Sequence, residues 1–284
     1  MPELPEVETT RRGIEPHIVG KKVTQVVVRQ PMLRWPVSED LAQCLTGKTV
    51  ISVGRRAKYL FVETRDGKVM IHLGMSGSLR ILREFTPPGK HDHVDIGFDD
   101  GYLLRFRDPR RFGSIFWLPG IVGSDNEDAG VKQSGTGHVL LDKLGPEPLS
   151  SEFNGHYLYK SARNRKVAVK LFIMNAQVVV GVGNIYANEA LHLAGIRPDR
   201  AANRISRLRY DQLARVIKEV LSRAIESGGT TLKDFVREDG SPGYFAQFLT
   251  VYGRGQQPCL QCRKILREIR QGGRATVFCP ACQH

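Results

Sequence analysis

Apolar runs long enough to cross a bilayer are missing from this chain, since none approaches the roughly 20 residues a spanning helix needs. Its start also lacks the basic, then apolar, then small-residue order of an export signal. A soluble cytoplasmic protein with no membrane partner is expected. A disulfide framework is excluded too. Of five cysteines, four crowd into the last 26 residues and one, Cys44, stands alone. Acidic residues are scarce: 29 Asp and Glu face 42 Lys and Arg, for a formal net charge of +13. This excess points to a polyanionic partner. Nucleic acid comes first, because each cation placed on a phosphate releases counterions. A basic surface that only keeps the protein soluble is the plain alternative. An anionic membrane surface fits less well, because no long basic amphipathic stretch is present. Internal repeats and low-complexity tracts are absent.

What is present changes character along the 284 residues, a length that favours two domains. Residues 3–18 read as a helix. After them come short runs rich in β-branched and aromatic residues, at 23–29, 58–63, 69–73 and 112–118. Residues 92–98 and 102–107 alternate around Asp99-Asp100-Gly101, a hairpin signal. Strands at this spacing suggest a β-sandwich. Residues 119–137 are polar and glycine-rich and read as a surface loop or linker, followed by the stiff Gly145-Pro146-Glu147-Pro148. Helical periodicity begins at Ser151. It is clearest over 206–226, where Leu213, Ile217, Val220, Leu221 and Ala224 recur, and a shorter helix is expected from Asn184 to Gly195. The last 35 or so residues return to short strands and turns, so the class is α+β.

The most specific motif closes the chain. Cys259-x-x-Cys262 and Cys279-x-x-Cys282 are separated by sixteen residues. Two such knuckles offer four thiolates to one tetrahedral ion, normally zinc, and a closed shell implies a structural role. Arg263, Lys264, Arg267, Arg270 and Arg274 lie between them around Gly272-Gly273. A metal-pinned basic hairpin suits a nucleic-acid backbone, and a solvated charged face is the alternative. In Gly181-Val-Gly-Asn184 the glycines precede a helix, with Asn184 expected at its N-cap. Such a helix start would favour a phosphate, or it is an ordinary capped turn. No Walker A or dinucleotide fingerprint fits. Asp108-Pro109-Arg110-Arg111-Phe112-Gly113 lies on a turn between strands. An aromatic wedge beside arginines is what a base-flipping enzyme needs, and an exposed basic turn with Phe112 packed inward is the alternative. Arg55-Arg56-Ala57-Lys58 alone reads as a solvated basic turn. His91 and His93 lie two apart with no nearby partner, which argues against a metal site.

MPELPEVET, RRAKYL, HLGMSGSL, KHDHVD, DPRRFG, GVGNIYANEAL and the four-cysteine tail occur in this order over essentially the whole chain. In that combination the sequence resembles the formamidopyrimidine-DNA glycosylases, bacterial base-excision repair enzymes for oxidised purines. The resemblance implies an N-terminal catalytic β-sandwich with flanking helices over 1–137 and a linker at 138–150. A helix–two-turn–helix domain with a lesion-recognition loop would span 151–249, and a zinc-finger hairpin 250–284. Double-stranded DNA with an oxidised purine or abasic site would lie between the two domains. One structural zinc, no organic cofactor, a monomer and association with the nucleoid are implied as well. Removal of the initiator methionine would leave Pro2 as the nucleophile that forms an iminium with C1′. An N-terminal amine, with a pKa of about 8 against about 10.4 for lysine, has a useful neutral fraction near pH 7. Glu3 would be the general acid/base, Lys58 the proton donor for β-elimination and Arg274 the one for δ-elimination. A guanidinium is an odd acid, so Arg274 fits a phosphate clamp better. His91, Arg110, Arg111, Lys166 and Asn184 would contact DNA. Met75, Arg110 and Phe112 would fill the gap left by the flipped base. The segment at 227–244 would cover that base, and the long segment at 123–137 departs from the family pattern.

Two other readings compete. One is the sister glycosylase for oxidised pyrimidines, which shares Pro2, Glu3 and the zinc tail. Leu4 and the intact Met75, Arg110 and Phe112 set favour the purine enzyme. The other is a non-enzymatic zinc-ribbon DNA-binding protein, which gives no reason for the Pro2-Glu3 start or for Lys58.

Overall fold

The computed structural model describes residues 2–83, 85–120, 139–230 and 245–284. Most of the expected linker at 119–137 and of the loop at 227–244 lies outside these residues. The chain divides into two compact units. The first is built mainly on Glu6–Asp142, with Pro2 and Thr230; the second is built on Lys143–Gly229 and the C-terminal segment, with Glu3–Pro5.

In the first unit, α1 (Leu4–Ile18) leads into β1 (Val23–Val28), a short α2 (Leu41–Leu45), β2 (Ser52–Arg56), β3 (Tyr59–Thr64), β4 (Gly67–His72) and β5 (Ser78–Arg83). Then follow β6 (Asp92–Phe98), β7 (Tyr102–Arg107) and β8 (Ser114–Pro119). Two antiparallel four-stranded sheets result, in the orders β1-β6-β7-β5 and β2-β3-β4-β8. Leu60, Val62, Val69 and Ile71 of one sheet share a core with Val94, Ile96, Leu104 and Phe106 of the other. Val7, Ile14 and Ile18 of α1 pack against the same core. The strands expected at 92–98 and 102–107 form as expected. β2, β5 and α2 have no clear signal in the sequence pattern. β2 reads SVGRR, a poor strand by composition, and exists because it pairs with β3 from Ser52↔Glu63 to Arg56↔Tyr59. α2 is five residues long, too short to show a helical period.

The acidic start of α1 is balanced locally. Glu8 pairs with Arg11, Arg12 and Arg55. Burial works against its charge, but hydrogen bonds from Arg11 and Arg12 prevail and hold its carboxyl below the usual range.

The second unit is helical: α3 (Gly155–Ala162), α4 (Val169–Ile173), α5 (Asn184–Leu193) and α6 (Arg207–Glu226). Ser206 caps α6 by accepting from the Arg209 N–H, and Tyr210, Leu213, Ile217, Val220 and Leu221 face inward. The unit ends in the hairpin β9 (Arg267–Gln271) and β10 (Arg274–Phe278), turning at Gly272-Gly273. No helix among the described residues is long and apolar enough to cross a membrane.

Candidate active site

The chain start is anchored inside the second unit. The Glu3 side chain is only 2% exposed, and three backbone N–H groups at the beginning of α5 converge on it. Glu3 Oε2 accepts from Gly183 (2.8 Å) and Tyr186 (3.4 Å), and Oε1 accepts from Ile185 (2.9 Å). The Leu4 N–H donates to the Gly181 carbonyl at 3.1 Å. The α5 dipole and the three donors favour negative charge at this point. Two expectations are corrected here. Gly183, not Asn184, is the N-cap, and it makes no side-chain cap bond; Asn184 is the first helical residue. The amides expected to receive a phosphate are taken by Glu3. A Cβ at position 183 would sit 2.3 Å from Glu3 Cδ, so the close approach of this carboxylate requires a glycine.

Around the same helix start, Asn184 Nδ2 donates to the Ala275 carbonyl at 3.2 Å. Lys170 donates to Ala275 O (3.0 Å) and Thr276 Oγ1 (2.6 Å). These bonds tie α4 and α5 to β10, whose first residue is the exposed Arg274. Sequence reasoning passed over Lys170, because a lysine within a largely apolar segment carries no sign that it will be fully buried. Burial first and the Arg274 charge second lower its pKa to about 8, against a smaller opposing effect from Glu3. The unfolded chain, with a lysine near 10.5, then binds more protons than the native state between about pH 8 and 10.5. Stability should therefore rise with pH across that window, relative to Lys170→Met. Urea unfolding of the two proteins at several pH values checks this, and parallel curves would refute it. Lys166 is exposed in the loop before α4, and among the described residues no hydrogen bond or ion pair joins it to this group.

The first unit carries the other candidates. Lys58 is the second residue of the two-residue turn between β2 and β3, after Ala57 at φ +56°. Arg55 Nη1 donates to the Ala57 carbonyl at 2.8 Å and stiffens that turn. Met75 lies on the turn after β4, and Arg110, Arg111 and Phe112 on the turn between β7 and β8. Asp108 binds these two turns together. It is fully buried; its Oδ1 accepts from Ser76 Oγ (2.7 Å) and Arg110 N–H (3.3 Å), and its Oδ2 accepts from Gly113 N–H (2.8 Å). The Asp108 N–H donates to the His91 carbonyl at 3.0 Å, which brings His91 to the same rim. Phe112 is 41% exposed and Met75 36%, so the reading with Phe112 packed inward is overturned. The Arg110 guanidinium lies 4.8 Å from the Phe112 ring centroid. His93 Nε2 contacts the Asp108 carbonyl at 2.8 Å, a structural contact that occupies one of its ring nitrogens. Asp108 and Ser76 lie within the sequence motifs without an evident role there, and only the fold reveals one. Asp108→Ala should cost about 2–4 kcal/mol, because two or three buried donors lose their acceptor. Thermal denaturation would measure this, and an unchanged Tm would refute the hub.

The four cysteines meet at the C-terminus. Their Sγ atoms all lie within 4.8 Å of one another, with Cys262 and Cys279 at 3.4 Å. Four sulfurs placed about 2.3 Å from a tetrahedral zinc would stand about 3.8 Å apart, so the set fits one zinc ion and leaves no open position. Among the described residues no other His, Cys, Asp or Glu cluster has this geometry.

Three family models match the chain in order. The formamidopyrimidine-DNA glycosylase N-terminal domain matches residues 1–115, the H2TH domain of the same enzymes 144–236, and the zinc finger found in FPG and IleRS 256–284. The chain is 55% identical over 283 residues to the formamidopyrimidine-DNA glycosylase of Thioalkalivibrio sulfidiphilus and 56% identical to that of Alcanivorax borkumensis, each match covering 100% of both chains. Among solved structures it is similar to a Lactococcus lactis FPG mutant bound to DNA containing Fapy-dG, at a TM-score of 0.87 and 34% identity over 99% of each chain. It is similar also to Lactococcus lactis Fpg bound to DNA with an abasic site, at a TM-score of 0.86, 34% identity and 99% of each chain. A sheet-rich first part, a helical middle and a four-cysteine hairpin thus define a zinc-finger glycosylase class. The chain belongs to the formamidopyrimidine-DNA glycosylase family.

Proposed function

We propose that this protein is a bifunctional base-excision repair glycosylase and abasic-site lyase. It removes oxidised purines, 8-oxoguanine opposite cytosine and formamidopyrimidines, from double-stranded DNA. The observation that carries this reading is Glu3, a nearly fully buried carboxylate fixed by three backbone N–H groups at the very start of the chain. In a plain DNA-binding protein it would serve only as a cap for α5. After removal of Met1, the Pro2 nitrogen attacks C1′, the C1′–base bond breaks and the base leaves. Opening of the sugar ring leaves an iminium between Pro2 and C1′. Glu3 moves the protons this step requires. Loss of a C2′ proton then expels the 3′ phosphate, with Lys58 as the proton donor, and δ-elimination releases the 5′ phosphate. Arg274 is exposed at the hairpin tip and acts as a phosphate clamp, because a guanidinium does not readily release a proton.

Met75, Arg110 and Phe112 fill the gap left by the flipped nucleotide, with Arg110 facing the orphaned cytosine. His91, Arg111, Lys166 and Asn184 hold the backbone. Zinc would be held by Cys259, Cys262, Cys279 and Cys282, where it supplies folding energy to the basic hairpin and no chemistry. Residues 138–150 serve as the linker between a catalytic part and the helix–two-turn–helix and zinc-finger parts. The enzyme works as a monomer at the nucleoid.

Borohydride reduction tests the central step. Mature protein incubated with 8-oxoguanine DNA should be trapped covalently through residue 2, and absence of an adduct would rule out the Schiff base. Pro2→Gly should lose most base excision, on the order of a hundredfold or more, while still binding DNA. Oxidised pyrimidines are a second substrate class worth testing, because Lactococcus lactis Fpg, a structural neighbour at a TM-score of 0.85, has been solved with DNA containing an oxidised pyrimidine. Faster cutting of thymine glycol than of 8-oxoguanine opposite cytosine would reverse the assignment.

A further inference from the structure

We infer that Asp92 is a positioning residue that closes the turn carrying Lys90 and His91, so that His91 meets the DNA backbone already in place. The inference rests on the role proposed above for His91. Lys90 and His91 are the two central residues of a turn that Gly89 and Asp92 close twice. The Asp92 N–H donates to the Gly89 carbonyl at 3.1 Å, and Asp92 Oδ2 accepts the Gly89 N–H at 2.7 Å. The His91 carbonyl accepts the Asp108 N–H at 3.0 Å, which ties this turn to the one bearing Arg110. The His91 backbone is thus set from both sides. Among the described residues its ring makes no hydrogen bond or ion pair and is left for a ligand.

The closing carboxylate is itself held from the sheet. Asp92 is the first residue of β6 and nearly buried. Its cross-strand partner in β7 is Arg107, whose Nη1 lies 3.5 Å from Asp92 Oδ1. Arg105 Nη1 lies 3.6 Å from Asp92 Oδ2. Arg105 is buried and clamped on Asp95, Nε to Oδ1 at 2.8 Å and Nη2 to Oδ2 at 2.7 Å, and Asp95 accepts from Arg29 Nη2 as well, at 2.6 Å. Burial works against the Asp95 charge, but the bonds from Arg105 and Arg29 prevail and hold its carboxyl below the usual range. Arg105 also donates to the Thr86 carbonyl at 3.0 Å and the Pro87 carbonyl at 3.1 Å. The same guanidinium therefore grips the chain that enters the turn and the carboxylate that closes it. A planar, bidentate arginine fixes geometry as well as charge. Ordering a loop on binding lowers affinity, and a turn closed before DNA arrives avoids that loss.

Double-mutant cycles test the inference on the full-length, zinc-loaded protein. Asp92→Ala removes the acceptor of the turn bond. Gly89→Pro removes its donor and leaves Asp92 on the two arginines. Each is made alone and together with His91→Ala. The readouts are affinity for duplex DNA carrying an uncleavable tetrahydrofuran site and the His91 ring line in 1H–13C spectra. Asp92→Ala and Gly89→Pro should each bind about tenfold more weakly, equal to about 1.4 kcal/mol, and displace or broaden the His91 line. In the His91→Ala background either change should add less than about threefold, because the residue it acts through is gone. A full tenfold loss in that background would overturn the inference, since Asp92 would then act on the fold at large. So would wild-type affinity with an unmoved His91 line in the single variants. Loss in Asp92→Ala but not in Gly89→Pro would overturn it too, because the charge and not the turn bond would then matter. If Asp92→Ala does not fold, Gly89→Pro decides alone by the same two readouts. His91→Ala by itself separates the two layers. Wild-type affinity in that variant sinks His91 as a DNA contact, whereas weakened binding without coupling to Asp92 or Gly89 sinks only this inference.

Discussion

Glu3→Gln should lose excision by about 10²–10⁴-fold and stability by about 2–4 kcal/mol at once. The two losses have separate causes. A glutamine offers one oxygen and one NH₂ where the structure has two carboxylate oxygens. The oxygen can serve Ile185 or the Gly183 and Tyr186 pair, and the NH₂ then faces backbone donors. Buried N–H groups lose their acceptor, and the α5 start loses its counter-charge. The catalytic loss follows because an amide does not exchange protons near neutral pH. Glu3→Asp separates the effects: it keeps the charge and proton chemistry but falls one methylene short. It should retain more excision than Glu3→Gln while still losing stability. Single-turnover release of 8-oxoguanine and urea unfolding provide the measurements. A Glu3→Gln protein that is destabilised yet excises normally would reduce Glu3 to a helix cap.

Removing the zinc ligand Cys279 should abolish tight DNA binding. The hairpin has only a small apolar core of Val251, Leu266 and Val277 beside Cys259 and Cys279. At about 1.5–3 kcal/mol per buried aliphatic side chain, that core cannot replace a structural zinc, which contributes on the order of 10–16 kcal/mol in isolated fingers. Cys279 is fully buried; its N–H donates to Gln283 Oε1 at 2.8 Å and its Sγ accepts from the Cys282 N–H at 3.4 Å. Cys279→Ser should therefore lose the bound zinc and the β9–β10 pairing. With the hairpin go Arg263, Lys264, Arg267, Arg270 and Arg274 as partners for phosphate. DNA affinity should fall by about a hundredfold or more near physiological salt. The slope of log K against log salt should flatten by roughly 0.9 for each phosphate that is no longer neutralised. Metal content, far-UV circular dichroism and a salt series of DNA binding check the three parts. Full affinity in a zinc-free protein would show that the finger is dispensable.

The parts of this molecule visible in the sequence are those set by neighbours along the chain. The α6 helix and its Ser206 cap follow from three- and four-residue spacing, and the β6–β7 hairpin from alternation around an Asp-Gly turn. The zinc ligand set follows from two knuckles at a usable separation. β2 was invisible for the opposite reason: its residues have little strand preference, and pairing with β3 creates it. The phosphate expected at the α5 start failed because the anion that sits there comes from 180 positions earlier in the chain.

By itself the sequence determined the charge, the four-thiol metal site, the helical and strand periods and, through its ordered motifs, the family. Each depends on residue type and short spacing, which survive in a linear record. Tertiary structure alone decided that Glu3 caps α5, that Lys170 is buried beneath the hairpin, and that Asp108 joins two tips. Those are contacts between distant segments, and their energies come from burial and unshared backbone donors, which exist only once the chain has closed on itself.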